Sequence, residues 1–318
     1  MEFRFSRLGI LAATTIAATL AVRLCYAHTV NTLYDYQLID AQANPLSLEE
    51  ISKKLADTDV ILVGEWHAHP AIHLFQAKLL AQLSQRNKVS LSMEQFARSK
   101  QSVLNNYLAG KIGEQMLIHA ANAWPNYKSS YRPLIEFAKE NQLNVIAANA
   151  PSYITHCLAR KGLPYLDKLD EKERTFIAKN FTTQDSAYKQ KFFSTMPHGD
   201  NEVLENYYLA QTAWDDTMAE SIVQFLASHP SQQLMHIAGS FHIEQGLGIA
   251  SRIKALNPTL SIAIISPTNS KNTTNLTNKD YQLIVKSLPK KWLNNKEMNE
   301  VNSQVGNYHS LSKKNQCD

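Results

Sequence analysis

Short apolar runs alternate along the chain with longer segments in which apolar residues return every three or four positions. Val60 to Val63, Val89 to Glu94, Asn144 to Ala148, Gln233 to Ala238 and Ser261 to Ser266 predict strands, with a last one at Tyr281 to Lys286. Between the first two, Ile72, Phe75, Leu79 and Leu83 recur at helical spacing behind Pro70, a residue suited to a first helical turn. Upstream, an irregular stretch from His28 ends at Ser47, which forms a capping box with Glu50 and opens a short helix through Leu55. Further helices are expected from Ser99, from Pro133 to Asn141 after a Trp124/Pro125 break, and from about Gln245 to Leu256. Strands alternating with helices give an α/β fold with a mainly parallel central sheet flanked by helices. Residues 151–230 lack a strand pattern and read as a small helical subdomain inserted between strands, broken near Pro164, Phe181 and Pro197 to Gly199. The α/β domain is thus expected to cover residues 28–290, with a loop at 267–280 inside it and a polar, poorly ordered tail at 291–318.

The formal charge of +4 suggests a basic protein until the charges are placed. Arg4 and Arg7 precede the uncharged run Leu8 to Val22, a signal-peptide pattern over residues 1–27. As a helix that run spans about 22 Å, short of the roughly 30 Å of a bilayer core. Cys25 and Ala27 are small enough for cleavage after Ala27; lipidation of Cys25 is the alternative, against which Leu24 stands where a smaller residue is usual. Export is expected either way, to the periplasm, or to the outer membrane if Cys25 is lipidated. Without the leader the net charge is +2, which does not suit nucleic-acid binding. Cys157 and Cys317 then remain, and an oxidising compartment permits a disulfide without requiring one.

Polar residues gather where the strands end. Gly64-Glu65-Trp66-His67 follows the first strand, Glu94 and Gln95 close the second, Asn149 follows the third, and Gly239-Ser240-Phe241-His242 follows the fourth. Ligands of open α/β sheets bind beyond the carboxyl ends of parallel strands, so Glu65, His67, Glu94 and His242 should meet in one crevice. A carboxylate two residues from an imidazole can orient it as a base, join it around a metal, or cap the next helix. A divalent metal on His67, His242 and Glu65 is therefore one expectation. His69, His73 and Gln76 share one side of the helix behind Pro70, with capping or packing as the alternative to ligation. Asp215 sits in an apolar stripe with Gln211, Met218, Ile222 and Phe225, where it either docks the helical segment by an ion pair or supports His67 or His242. Tyr127, Tyr131, Tyr153, Tyr207 and Tyr208 fall in the middle of the chain. A phenolate in a partly open apolar pocket can ligate ferric haem, and Tyr131, just before the Pro133 helix, is the candidate. No Gly-rich phosphate loop, Gly-x-Ser-x-Gly elbow or CxxC pair is present.

Five stretches together resemble the ChaN family of haem-binding, iron-regulated bacterial proteins, in the superfamily that includes the Tiki and TraB proteins and the erythromycin esterases. They are VGEWHAHPAIHLFQ from Val63, MEQFAR from Met93, YRPLIEFAKENQLNVIAANAP from Tyr131, QTAWDDTMAESI from Gln211 and HIAGSFHIEQGLGIASRI from His236. The specific element is the ordered pair of Gly-x-x-His motifs with a strand-end glutamate between them, which puts Glu65, His67, Glu94 and His242 at the superfamily's polar cluster. The resemblance implies haem binding linked to iron acquisition, with a haem-uptake receptor or a periplasmic haem carrier as partner and a homodimer as an open alternative. Tiki-like relatives imply metal-dependent peptide hydrolysis and esterase relatives a histidine and glutamate chemistry, so a hydrolase is the competing expectation, and a scaffold with a structural polar cluster the third.

Overall fold

The computed structural model describes residues 30–196, 200–269, 280–301 and 317. The leader expected at 1–27 lies outside them, as does most of the stretch expected to be a loop between 267 and 280. Eight strands form one sheet: β1 (Tyr36–Ile39), β2 (Pro45–Leu46), β3 (Val60–Glu65), β4 (Val89–Ala97), β5 (Val145–Asn149), β6 (Gln233–Gly239), β7 (Ile262–Thr268) and β8 (Asp280–Val285), in the order β2-β1-β8-β7-β3-β6-β4-β5. The six strands from β8 to β5 are parallel. β1 and β2 add an antiparallel edge beside β8 where the sequence suggested irregular chain. Four and two residues are too few for a period to register, and the partner that makes β1 a strand lies at the far end of the domain.

All six residues of β3 are buried, as expected of a central parallel strand covered on both faces. Ile61 and Val63 face a core closed by the helices Pro70–Ser84, Gln101–Leu108, Glu114–Ala120 and Arg132–Glu140. Val60 and Leu62 face the opposite core, closed by the long helix Asn201–Ser228 and the helix Ile249–Leu256. Each fully buried aliphatic side chain contributes about 1.5–3 kcal/mol, so these two layers carry the fold and any polar group buried between them needs a partner. The Ser47/Glu50 capping box forms as expected, opening the helix Leu48–Lys54. The helix expected from Gln245 is broken instead: Gln245 takes φ 63° and regular helix resumes only at Ile249.

Between β5 and β6 lies the helical subdomain, in which the helix Ser152–Lys161 and the first half of the long helix pack around Ile154, Leu158, Ile177 and Ala213, and the helix Ala187–Thr195 packs through Tyr188 and Phe192 against Tyr208. A disulfide joins Cys157 in the first of these helices to Cys317, and both cysteines are buried. The stretch expected to be a poorly ordered tail therefore ends in a fixed point, and its residues 295–301 are helical.

The strand order places the site. From β3 the chain passes two places to one side, to β4; from β6, the neighbour of β3, it passes to β7 on the other side. The connections diverge at the carboxyl ends of β3 and β6, which opens a crevice there.

Candidate functional site

Glu65 closes β3 and is buried among donors. Its Oε1 accepts from His67 Nδ1 at 2.8 Å, the Tyr131 hydroxyl at 2.6 Å and Gln95 Nε2 at 3.1 Å, and its Oε2 accepts from Gln76 Nε2 at 2.9 Å. Burial pushes the carboxyl pKa up, but the His67 bond, the charge of His73 and the bonds from Tyr131 and Gln76 outweigh it and hold Glu65 below the usual range. An ionised Glu65 requires His67 Nδ1 to be the protonated nitrogen, which leaves the lone pair of a neutral ring on Nε2. That ring is 47% exposed and lies edge-on to Trp124 at 4.9 Å. His73 braces the group from below, with Nδ1 at 3.0 Å from Gln76 Oε1 and Nε2 at 2.9 Å from the His67 carbonyl, which also accepts from Asn126.

A second carboxylate and imidazole face the first pair. His242 Nδ1 lies 2.8 Å from Asp215 Oδ1, and Tyr188 donates to Asp215 Oδ2 at 2.6 Å. Burial lowers the His242 pKa, but the charges of Asp215 and Glu94 and the Asp215 bond outweigh it, so that it is pushed up to about 9 and the ring is a cation at neutral pH. Its other nitrogen, Nε2, lies 3.7 Å from Glu94 Oε1, while Glu94 Oε2 accepts the backbone N–H of Gly239 at 2.6 Å. A Cβ at Gly239 would stand 3.0 Å from His67 Cε1 and 3.1 Å from Nε2, so glycine here is what lets His67 close over the end of β6.

The structure thus brings Glu65, His67, Glu94 and His242 together, with His73, Gln76 and Asp215 as their supports. His69 stands apart: its Nε2 is 2.7 Å from the Lys286 carbonyl, fastening the head of the Pro70–Ser84 helix to the chain after β8. Tyr131 does not face the crevice as a haem ligand would. It is 0% exposed and its hydroxyl is committed to Glu65; burial first, and the Glu65 charge second, push its pKa far up, against phenolate formation. The expected metal on His67, His242 and Glu65 gains no support, since no three His, Cys, Asp or Glu among the described residues are grouped to hold an ion. Gln95 and Gly239, both in the strand-end segments, join the site as well, Gln95 as a donor to Glu65 and Gly239 as the amide that holds Glu94.

Two cavities open here. The crevice, about 870 Å³, is lined by His67, Glu94, Lys100, Trp124, Trp214 and His242 among others. A side pocket of about 470 Å³ adjoins it, sharing Ser152, Tyr153 and Trp214 and walled otherwise by Phe192, Met196, Tyr207, Ala210, Thr155 and His156. Of the five mid-chain tyrosines, Tyr127, Tyr131 and Tyr208 are buried. Tyr153, 37% exposed, donates to Glu173 at 3.1 Å; burial and that carboxylate push its pKa up to about 12. Tyr207 is 44% exposed, lines the side pocket and makes no hydrogen bond among the described residues.

A family described as "Haem-binding uptake, Tiki superfamily, ChaN" matches residues 51–253. The structure of ChaN of Campylobacter jejuni with cofacially bound haem superposes with a TM-score of 0.61 at 19% identity, over 80% of this chain and 98% of that one. Protein RETICULATA-RELATED 5, a chloroplastic protein of Arabidopsis thaliana, is 23% identical over 237 residues, 68% of this chain; the chain spans about a third of that relative's length (32%). By the extent of the family match, with the fold in agreement, the chain belongs to the ChaN haem-binding uptake family of the Tiki superfamily.

Proposed function

We propose that this protein is exported and binds haem as cargo in iron acquisition, holding or transferring it, and that the haem iron is taken by Tyr207 in the side pocket. The observation that carries the reading is the pocket itself. Trp214, Phe192, Met196 and Ala210 offer an apolar wall for a macrocycle, and Tyr207 is the one mid-chain tyrosine that is both on that wall and free of a hydrogen bond among the described residues. A phenolate is a ferric-haem ligand and needs such a partly open apolar setting. The continuity with the crevice lets the edge of a large ligand pass Trp214, toward Lys100, which forms no ion pair among the described residues and suits a propionate.

Export is supported by the Arg4/Arg7 and Leu8 to Val22 pattern and by the Cys157–Cys317 disulfide, a bond that persists in oxidising compartments. The same reading assigns delivery from, or transfer to, a haem-uptake receptor or periplasmic carrier, and anchorage at the outer membrane if Cys25 is lipidated. Haemin titration of the purified protein tests the binding claim: a saturable Soret band with a defined stoichiometry is expected. A spectrum no different from that of haemin with an unrelated control protein would overturn it.

A further inference from the structure

Two packed helices wall the side pocket, and each offers it one stripe. On the helix Ser152–Lys161 the stripe is Ser152, Thr155, His156 and Ala159. On the long helix Asn201–Ser228 it is Tyr207, Ala210, Gln211 and Trp214. Both have the i, i+3, i+4, i+7 spacing of a single helical face. Ile154, Cys157 and Leu158 of the first helix face the other way, into the subdomain core, where the disulfide to Cys317 pins them. A turn of the helix that took His156 off the wall would have to unbury that face.

Most polar groups on the wall are committed within the protein. The Tyr153 hydroxyl donates to Glu173, the Thr155 hydroxyl to the Ser152 carbonyl and Gln211 Nε2 to the Tyr188 hydroxyl. His156 differs: its Nε2 is buried and has no hydrogen-bond partner among the described residues. Every other described histidine that is not fully at the surface has one, namely His67, His69, His73, His229, His236 and His242. A nitrogen buried without a partner costs free energy, and a partner from outside the chain, a metal among them, explains it. Neither ring nitrogen of His156 makes a hydrogen bond among the described residues, so the ring can turn toward a ligand without breaking one.

Resting on the haem reading above, we propose that His156 is the second axial ligand of the haem iron taken by Tyr207, so that the side pocket holds a six-coordinate ferric haem. Imidazole nitrogen and phenolate oxygen are both ligands of haem iron. With both axial positions filled from the protein, dioxygen and peroxide find no open place on the iron, which suits a cargo kept from reacting in transit.

Electron paramagnetic resonance of the haemin-loaded protein reads the coordination. Wild type should show low-spin ferric iron, and His156→Ala should show high-spin iron with the tyrosinate charge-transfer band retained. Added imidazole should return that variant to low spin. His156→Ala should bind haemin roughly 10-fold more weakly than wild type. Metal-free protoporphyrin IX, which has no iron to ligate, should bind both proteins alike, whereas a change in the shape of the wall would weaken both porphyrins equally. High-spin iron in saturably loaded wild type, low-spin iron persisting in His156→Ala, or equal losses for the two porphyrins would overturn the assignment and leave haem binding standing. No saturable haemin binding by wild type would overturn the haem reading and this assignment with it.

Discussion

Replacing Asp215 by asparagine keeps the shape at the foot of His242 but removes the larger of the two charges, Asp215 and Glu94, that make the ring a cation. The His242 pKa stands at about 9 against an ordinary value of 6.5. At about 1.4 kcal/mol per pH unit that difference corresponds to about 3 kcal/mol of folding stability. Because the folded-state pKa is the raised one, the contribution is fully present below pH 6.5 and is lost as the pH rises through 9. Urea unfolding of wild type and Asp215→Asn at pH 6 and pH 10 reads it directly. The variant should lose up to about 3 kcal/mol at pH 6, Glu94 keeping part of the shift, and the gap should narrow by pH 10. A gap of the same size at both pH values would refute the idea that Asp215 acts through the charge of His242.

Other substitutions probe the remaining supports. Tyr131→Phe removes one of four donors to Glu65 and should cost about 2 kcal/mol in urea unfolding while leaving haemin affinity unchanged. Gly239→Ala drives a methyl into His67, and should cost about 1–3 kcal/mol and displace the His67 ring, visible as shifted imidazole resonances by NMR. Cys157→Ser opens a link between residues 160 apart in sequence; loop-closure entropy puts the loss at roughly 5 kcal/mol under non-reducing conditions, matched by wild type in reductant.

The parallel strands were legible as short apolar runs, β3 and β6 being buried along their whole length while β7 is buried at alternate positions, and the polar residues that stop those runs were legible as a site for the same reason. Glu65, His67, Glu94 and His242 converge because β3, β6 and β4 are adjacent in the sheet, an order that a generic rule about strand ends anticipates without knowing the register. What sequence could not give is which way a ring points. Tyr131 and Tyr207 look alike as letters in helical segments; one turns inward to Glu65 and the other outward to the pocket. The break at Gln245 comes from a tight local fold-back that no apolar period reports. Gly248 passes so close to the His242 backbone that no side chain fits there, and the helix must start again beyond it. The β1 and β2 edge depends on β8, which no local pattern reports.

Haem capture in the side pocket by Tyr207 is most directly tested by titrating haemin into wild type, Tyr207→Phe and Tyr131→Phe side by side, with the Soret band and the ferric charge-transfer bands as readout. Wild type and Tyr131→Phe should bind alike, and Tyr207→Phe should bind at least 10-fold more weakly with the tyrosinate charge-transfer band gone. Equal affinity and an unchanged spectrum in Tyr207→Phe would contradict it.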